Sequence, residues 1–174
     1  MRRVGFSLIE LLVTIAIIAI LATLTVGSFT TARASARDAE RKTNLESIRL
    51  ALESYANANG GVYPSTGGNF QTWSATSVPT NLALNQLVQS GDLQLPRPAR
   101  EGEIYAYRTN RSGESLLYDV DRTLLPGYSQ ALASSQFALY AKLERPKLDD
   151  TLWTVTSGAR SSEQNIPVGA PIFP

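Results

Sequence analysis

Residues 5–29 read GFSLIELLVTIAIIAILATLTVGSF, and a short basic leader with Arg2 and Arg3 stands before them. No residue from Leu11 to Ala32 is charged. As a helix that run is about 33 Å long at ~1.5 Å per residue, enough for a hydrocarbon core of roughly 30 Å. One reading is a cleaved secretory signal, with small-residue pairs such as Ala32/Ala34 and Ala34/Ala36 as its cutting site. The apolar run is longer than the roughly 7–15 residues usual for such signals, and Glu10 stands at its start. A second reading is a plain membrane anchor. Length and hydrophobicity fit it, although Arg33, Arg37, Arg41 and Lys42 at the far end blunt the positive-inside rule. It leaves the position of Glu10 unexplained.

The third reading accounts for that detail. Gly5-Phe6-Ser7-Leu8-Ile9-Glu10, followed by LLVTIAIIAILATLTVGSF, resembles the N-terminus of the type IV pilin and type II secretion pseudopilin superfamily. The resemblance implies that a prepilin peptidase cuts after Gly5, that Phe6 becomes the N-methylated first residue, and that the apolar helix stays with the protein. With Met1 to Gly5 in place, the chain is expected to be the precursor form. A carboxylate in the apolar end of a membrane helix costs roughly 2.5–3.5 kcal/mol unless it has a partner. In a filament the implied partner of Glu10 is the free α-amino group of Phe6 on a neighbouring subunit, a pairing that sets axial register. The plainer alternative puts Glu10 at the headgroup boundary. Many relatives carry proline where this chain has Gly27. Glycine costs about 1 kcal/mol against alanine in a helix, and Thr23 and Thr25 nearby are β-branched, so Gly27 is a candidate flexible point.

From Arg33 the pattern turns amphipathic. Leu45, Ile48, Leu52 and Tyr55 recur at helical spacing. Asp38 with Lys42 and Arg49 with Glu53 are spaced as i,i+4 pairs, and the charges from Arg33 to Lys42 read as a solvated or headgroup-facing surface. Asn57-Ala58-Asn59-Gly60-Gly61 is a stop signal. Phe6 to Asn57 is thus expected as one helix of about 78 Å, far beyond the mean of ~11–12 residues.

YANANGGVYP, ending at Pro64, resembles the junction after the long helix in pseudopilins and many Gram-positive-type pilins, and FALYAKLE resembles a head-domain strand of that family. Residues 65–80 read as loop, with Phe70 and Trp73 as anchors. Leu82 to Val88 suggest a short helix ending at Gly91. Ile104–Arg108, Phe137–Leu143 and Leu152–Thr156 read as strands, with Leu116–Val120 as a further candidate. The expected fold class is α+β and pilin-like: a long N-terminal helix, half membrane-spanning and half amphipathic, packed on a head with a three- or four-stranded antiparallel sheet. Its parts are a leader at 1–5, the membrane and filament-core helix at 6–32, the amphipathic helix at 33–60, the α+β head at 61–156, and coil at 157–174. In that coil Ile166, Val168 and Phe173 are the candidate packing residues.

The chain has no cysteine and no histidine, which removes disulfides, thiol nucleophiles, imidazole metal sites and a Ser-His-Asp triad. The net charge is +1, and removing Arg2 and Arg3 takes it to −1, too little for bulk attraction to nucleic acid. Arg97, Arg100, Arg108 and Arg111 around Tyr105 and Tyr107 are a candidate surface for single-stranded DNA and uptake, weighed against ordinary surface arginines. Asp119 with Asp121 and Asp149 with Asp150 are the close acidic pairs. Calcium at Asp149 and Asp150 would follow major pseudopilins, but two aspartates fall short of the 6–8 oxygens calcium takes. No other cofactor is expected, and no catalytic motif is present.

The expected function is a structural, non-enzymatic subunit of a type IV pilus-like filament. Its partners are other pilins, prepilin peptidase, an assembly platform and the membrane crossed by its single span. It is expected in the inner membrane before assembly and in an extracellular or periplasmic filament after it. The alternatives are a secretion pseudopilin and a membrane-tethered extracellular binding protein that never polymerises.

Overall fold

The computed structural model describes residues 6–112, 116, 133–147, 151–158 and 160–165, leaving aside the side chains at 24–28, 160 and 165. The chain divides into two compact units, Met1–Ala36 and Arg37–Pro174. One helix, α1 (Leu8–Ala58), contributes to both. No proline occurs before Pro64 to interrupt it. Its end is a Schellman motif: Gly60 and Gly61 both take positive φ, 68° and 82°, and the Gly61 N–H donates to the Ala56 carbonyl at 2.8 Å. The two glycines supply a backbone conformation that costs an L-residue roughly 1–2 kcal/mol.

In the second unit, α1 buries the stripe Leu45, Ile48, Leu52 and Ala56, spaced as one helical face. Tyr55 is only partly buried, and its hydroxyl lies 3.1 Å from Gln86 Oε1. The stripe packs in one core with one face of an antiparallel sheet. Five strands, β1 (Gln71–Ser74), β2 (Ile104–Thr109), β3 (Phe137–Ala141), β4 (Thr151–Thr156) and β5 (Arg160–Asn165), lie in sequence order across that sheet. Trp73 stands opposite Tyr105, Tyr105 opposite Ala141, Ala141 opposite Trp153, and Trp153 opposite Glu163. Because side chains alternate along a strand, Trp73, Tyr105, Tyr107, Phe137, Leu139 and Val155 share the helix side. Ala106, Ala138, Tyr140 and Leu152 form a second buried cluster with Leu116, against which Phe70 packs. Burial on both faces explains why β3 reads as the unbroken apolar run FALYA rather than as an alternating strand.

The polar tips of the core aromatics are satisfied, as buried groups must be. Trp73 Nε1 donates to the Pro96 carbonyl at 2.8 Å, Tyr107 Oη to the Pro64 carbonyl at 2.8 Å, and Asn44 Nδ2 donates to Tyr105 Oη at 3.2 Å. Tyr63 meets Phe137 edge-on at 4.7 Å, so the junction after α1 is itself part of the core. A short helix, α2 (Asn85–Ser90), ends at Gly91 in the left-handed region, as expected.

Two sequence expectations need correction. Among the described residues the sheet has five strands rather than three or four, because β1 lies inside the expected 65–80 loop and β5 inside the expected 157–174 coil. Both are edge strands held by backbone pairing. In β1 only Trp73 is buried, and β5, RSSEQN, has no apolar residue. Gly158, at φ 83°, lies between β4 and its antiparallel neighbour β5. The expected strand at Leu116–Val120 falls mostly outside the described residues, and Leu116 itself is not in a strand. Ile166, Val168 and Phe173 also lie outside them.

Leu52 is fully buried, whereas Leu50 on the opposite side of α1 is 58% exposed. Leu52→Ala is expected to lower the stability of the second unit by about 2–5 kcal/mol. Leu50→Ala should change it by less than about 0.5 kcal/mol. Urea denaturation followed by tryptophan fluorescence checks both values.

Candidate functional site

Two places carry chemistry beyond a plain core: the first turns of α1, and a charged cluster where α1 meets the ends of β2 and β3. At the start of α1, Ser7 precedes the first helical residue and its carbonyl accepts the first helical bond, from Leu11 N–H at 3.3 Å. The Glu10 carboxylate turns back and accepts the Ser7 N–H at 2.9 Å. A carboxylate three residues after the cap answers one of the donors that a helix start leaves unpaired, and its charge suits the positive end of the helix dipole. Phe6 is 83% exposed and Leu8 81%, and every described residue from there to Thr23 is exposed. Among them are Ile9, Leu11, Leu12, Ile15 and Ile18.

Gly5 lies outside the described residues. The helix runs unbroken through Gly27, where only the backbone is described. Among the described residues, no helix is long and apolar enough to cross a membrane. The expected span from Leu11 to Ala32 includes positions 24–28, whose side chains lie outside those residues.

The charged cluster was not legible as a site. Arg41 is 2% exposed. Its guanidinium bonds Asp38 Oδ1 at 2.5 Å, Glu144 Oε1 at 2.9 Å, and Glu103. Arg37 holds both oxygens of Glu144 at 2.5 Å. Asp38 accepts the backbone N–H groups of Glu144 and Arg145 at 2.9 and 3.0 Å. Hydrogen bonds from Arg37, with Arg41 adding to them, hold the Glu144 carboxyl well below its ordinary range, at about 2. Burial works against the charge of Arg41, but Glu144 and Glu103 outweigh it and its pKa is raised.

Asp38 and Arg41 are therefore buried ion-pair members rather than part of a solvated face. The helical pairs also differ from those expected. Asp38 pairs with Arg41, Arg49 pairs with Glu46, and Lys42 sits 4.1 Å over the Trp153 ring. Glu53 accepts the Tyr63 hydroxyl at 3.0 Å.

The four arginines considered for DNA take separate acceptors. Arg97 donates to the Ala75 carbonyl and Arg100 lies 3.7 Å from Glu144. Arg108 and Arg111 brace the turn at Gly67 and Gly68 through its carbonyls, and Arg108 also lies over Phe70. Asp119, Asp121, Asp149 and Asp150 lie outside the described residues. Among the described residues no three acidic side chains are grouped to hold a metal.

Removing the buried cation leaves its carboxylates without compensation. Arg41→Met is expected to lower stability by about 3–5 kcal/mol in urea denaturation, as breaking a buried pair does. Glu144 has its folded pKa depressed, so its contribution is fully present above the unfolded value near 4.5 and is lost as pH falls through about 2. The urea midpoint should fall across that window, and Glu144→Gln should flatten the fall.

Residues 2–26 match the family model of the prokaryotic N-terminal methylation motif, the prepilin-type signal of type IV pilins and pseudopilins. That match covers the leader and the apolar start of α1. No curated protein and no solved structure matches the chain.

Proposed function

We propose that a chain bearing this prepilin-type signal is a structural subunit of a type IV pilus-like filament. It is made in the membrane, cut between Gly5 and Phe6 by prepilin peptidase, N-methylated at Phe6, and assembled with other pilins by a membrane platform. The observation that carries the reading is the coincidence of two features. The methylation motif at residues 2–26 falls on the part of α1 whose large apolar side chains are exposed on all sides. An apolar surface of that extent needs another medium, lipid before assembly and the helices of other subunits after it. Extraction from lipid into a filament core exchanges one apolar environment for another, so the apolar cost of assembly is small and polar groups decide the register.

Glu10 is the one acidic residue before Asp38. In the proposed filament its carboxylate pairs with the α-ammonium of Phe6 on a neighbouring subunit. Each charge then answers the other in a medium where either alone is costly. The fold is a scaffold for this assembly. The chemistry asks nothing catalytic of the chain.

Two measurements test the proposal. The protein recovered from its native cells should have an N-terminal mass starting at Phe6, with one added methyl group. A start at Met1 would point to an unprocessed anchor instead. Glu10→Ala should be cut normally yet lose filaments by about tenfold or more in shear preparations, the scale of a lost pair of ~1.4 kcal/mol or above. Unchanged filament yield in that variant would remove Glu10 from the assembly mechanism.

A further inference from the structure

Asn59-Gly60 is the one place in the chain where glycine follows asparagine. Asparagine is a thermolabile residue. Its weakness is attack on the side-chain carbonyl carbon by the backbone nitrogen of the next residue. A side chain on that next residue hinders the approach, and glycine has none. Asn69, Asn81 and Asn110 precede the larger Phe70, Leu82 and Arg111, while Asn44 and Asn57 lie inside α1 and precede helical residues.

The fold leaves this pair open. It stands just past the end of α1, and Asn59, Gly60 and Gly61 are all exposed. A Cβ placed on either glycine would meet no atom within 4 Å. The Ala56 carbonyl accepts the Asn59 N–H at 3.1 Å and the Gly61 N–H at 2.8 Å, but the Gly60 N–H has no partner among the described residues. The nitrogen that has to attack is therefore untied, and the chain around it turns without meeting a neighbour. Nδ2 of Asn59 donates to the Tyr55 carbonyl at 2.8 Å, answering one of the acceptors that a helix end leaves open.

We propose that Asn59 is a self-modification site, deamidating in the folded protein through the Gly60 nitrogen. That nitrogen bonds to Cγ of Asn59, the Cγ–Nδ2 bond breaks, and Nδ2 leaves as ammonia with the proton of the Gly60 N–H. Solvent water then opens the succinimide ring. Entry at Cγ gives aspartate, and entry at the main-chain carbonyl carbon gives isoaspartate; the carboxyl proton passes to the ammonia. Either product replaces the donor to Tyr55 with a carboxylate, at the helix end where the carbonyls already carry negative charge. Isoaspartate also adds a methylene to the main chain shortly before Tyr63, whose ring packs edge-on against Phe137. The change accumulates with the age of the subunit and weakens the seam between helix and sheet. It does not depend on the filament reading.

The test uses the full-length chain, purified in detergent and held for days in mildly alkaline buffer. Trypsin leaves Asn57, Asn59, Asn69, Asn81 and Asn85 on one peptide that begins at Leu50, so the other four asparagines serve as controls. Tandem mass spectrometry should find a gain of about 1 Da at Asn59, arising at least tenfold faster than at its neighbours, a barrier difference of about 1.4 kcal/mol or more. A gain no faster than at Asn57 or Asn81 overturns the site. Gly60→Ala, with its fold checked by circular dichroism, should slow the gain by about tenfold or more; an unchanged rate rules out attack by the Gly60 nitrogen. Asn59→Asp, which carries one of the products, should have a lower urea midpoint than the unaltered chain. An equal midpoint would overturn the weakening of the seam.

Discussion

One helix carries two kinds of surface, and that constraint orders much else in the chain. From Leu8 to Thr23 the residues of α1 are exposed on every side and nearly all apolar. From Arg37 onward the same helix buries one face only, the stripe from Leu45 to Ala56. A helix wholly apolar in its circumference cannot be satisfied by a single sheet, because a sheet covers one side. A helix with one apolar side suits a sheet, which covers that side and leaves the other to water. The change of surface near Arg33 to Arg41 is therefore a physical border, and the chain divides into its two compact units at Ala36 and Arg37.

At that border the Arg41 cluster sets the position of the helix on the sheet. Apolar stripes tolerate rotation or a slip of one turn, since Leu, Ile and Ala make similar contacts in neighbouring registers. A buried guanidinium bonded to Asp38, Glu103 and Glu144 has one geometry. Buried ion pairs contribute little net stability once desolvation is counted, and register is their best-attested use. Here the partners come from α1, from the residue before β2 and from the segment after β3, so one side chain fixes three elements.

Much of this fold was legible in the sequence. The stripe Leu45, Ile48, Leu52 announces its helix by spacing, and Gly60-Gly61 announces its end. Strands β2, β3 and β4 show through their aromatic and β-branched residues. Strand β5 was not legible, because Arg, Ser, Glu, Gln and Asn carry no strand pattern and only pairing with β4 makes RSSEQN extended. The charged cluster was hidden for a different reason. Arg41 stands 62 residues from Glu103 and 103 from Glu144, and no local rule couples positions so far apart. Local rules even misdirected the reading, since i,i+4 spacing favoured Lys42 for Asp38 while the fold needed Arg41. At the N-terminus, the Gly-Phe and Glu10 spacing was visible, but the bond from Ser7 to Glu10 required the geometry of the first turn.

That first turn has a consequence for maturation. Among the described residues, the hydrogen bonds that open α1 begin at Ser7. The proposed cut between Gly5 and Phe6 would fall just ahead of these bonds. What the proposed cut would change is electrical: two arginines would leave, and a new ammonium group would appear one residue from the cap that Glu10 holds. Maturation would then act as a rewriting of charge beside a helix end that Glu10 caps.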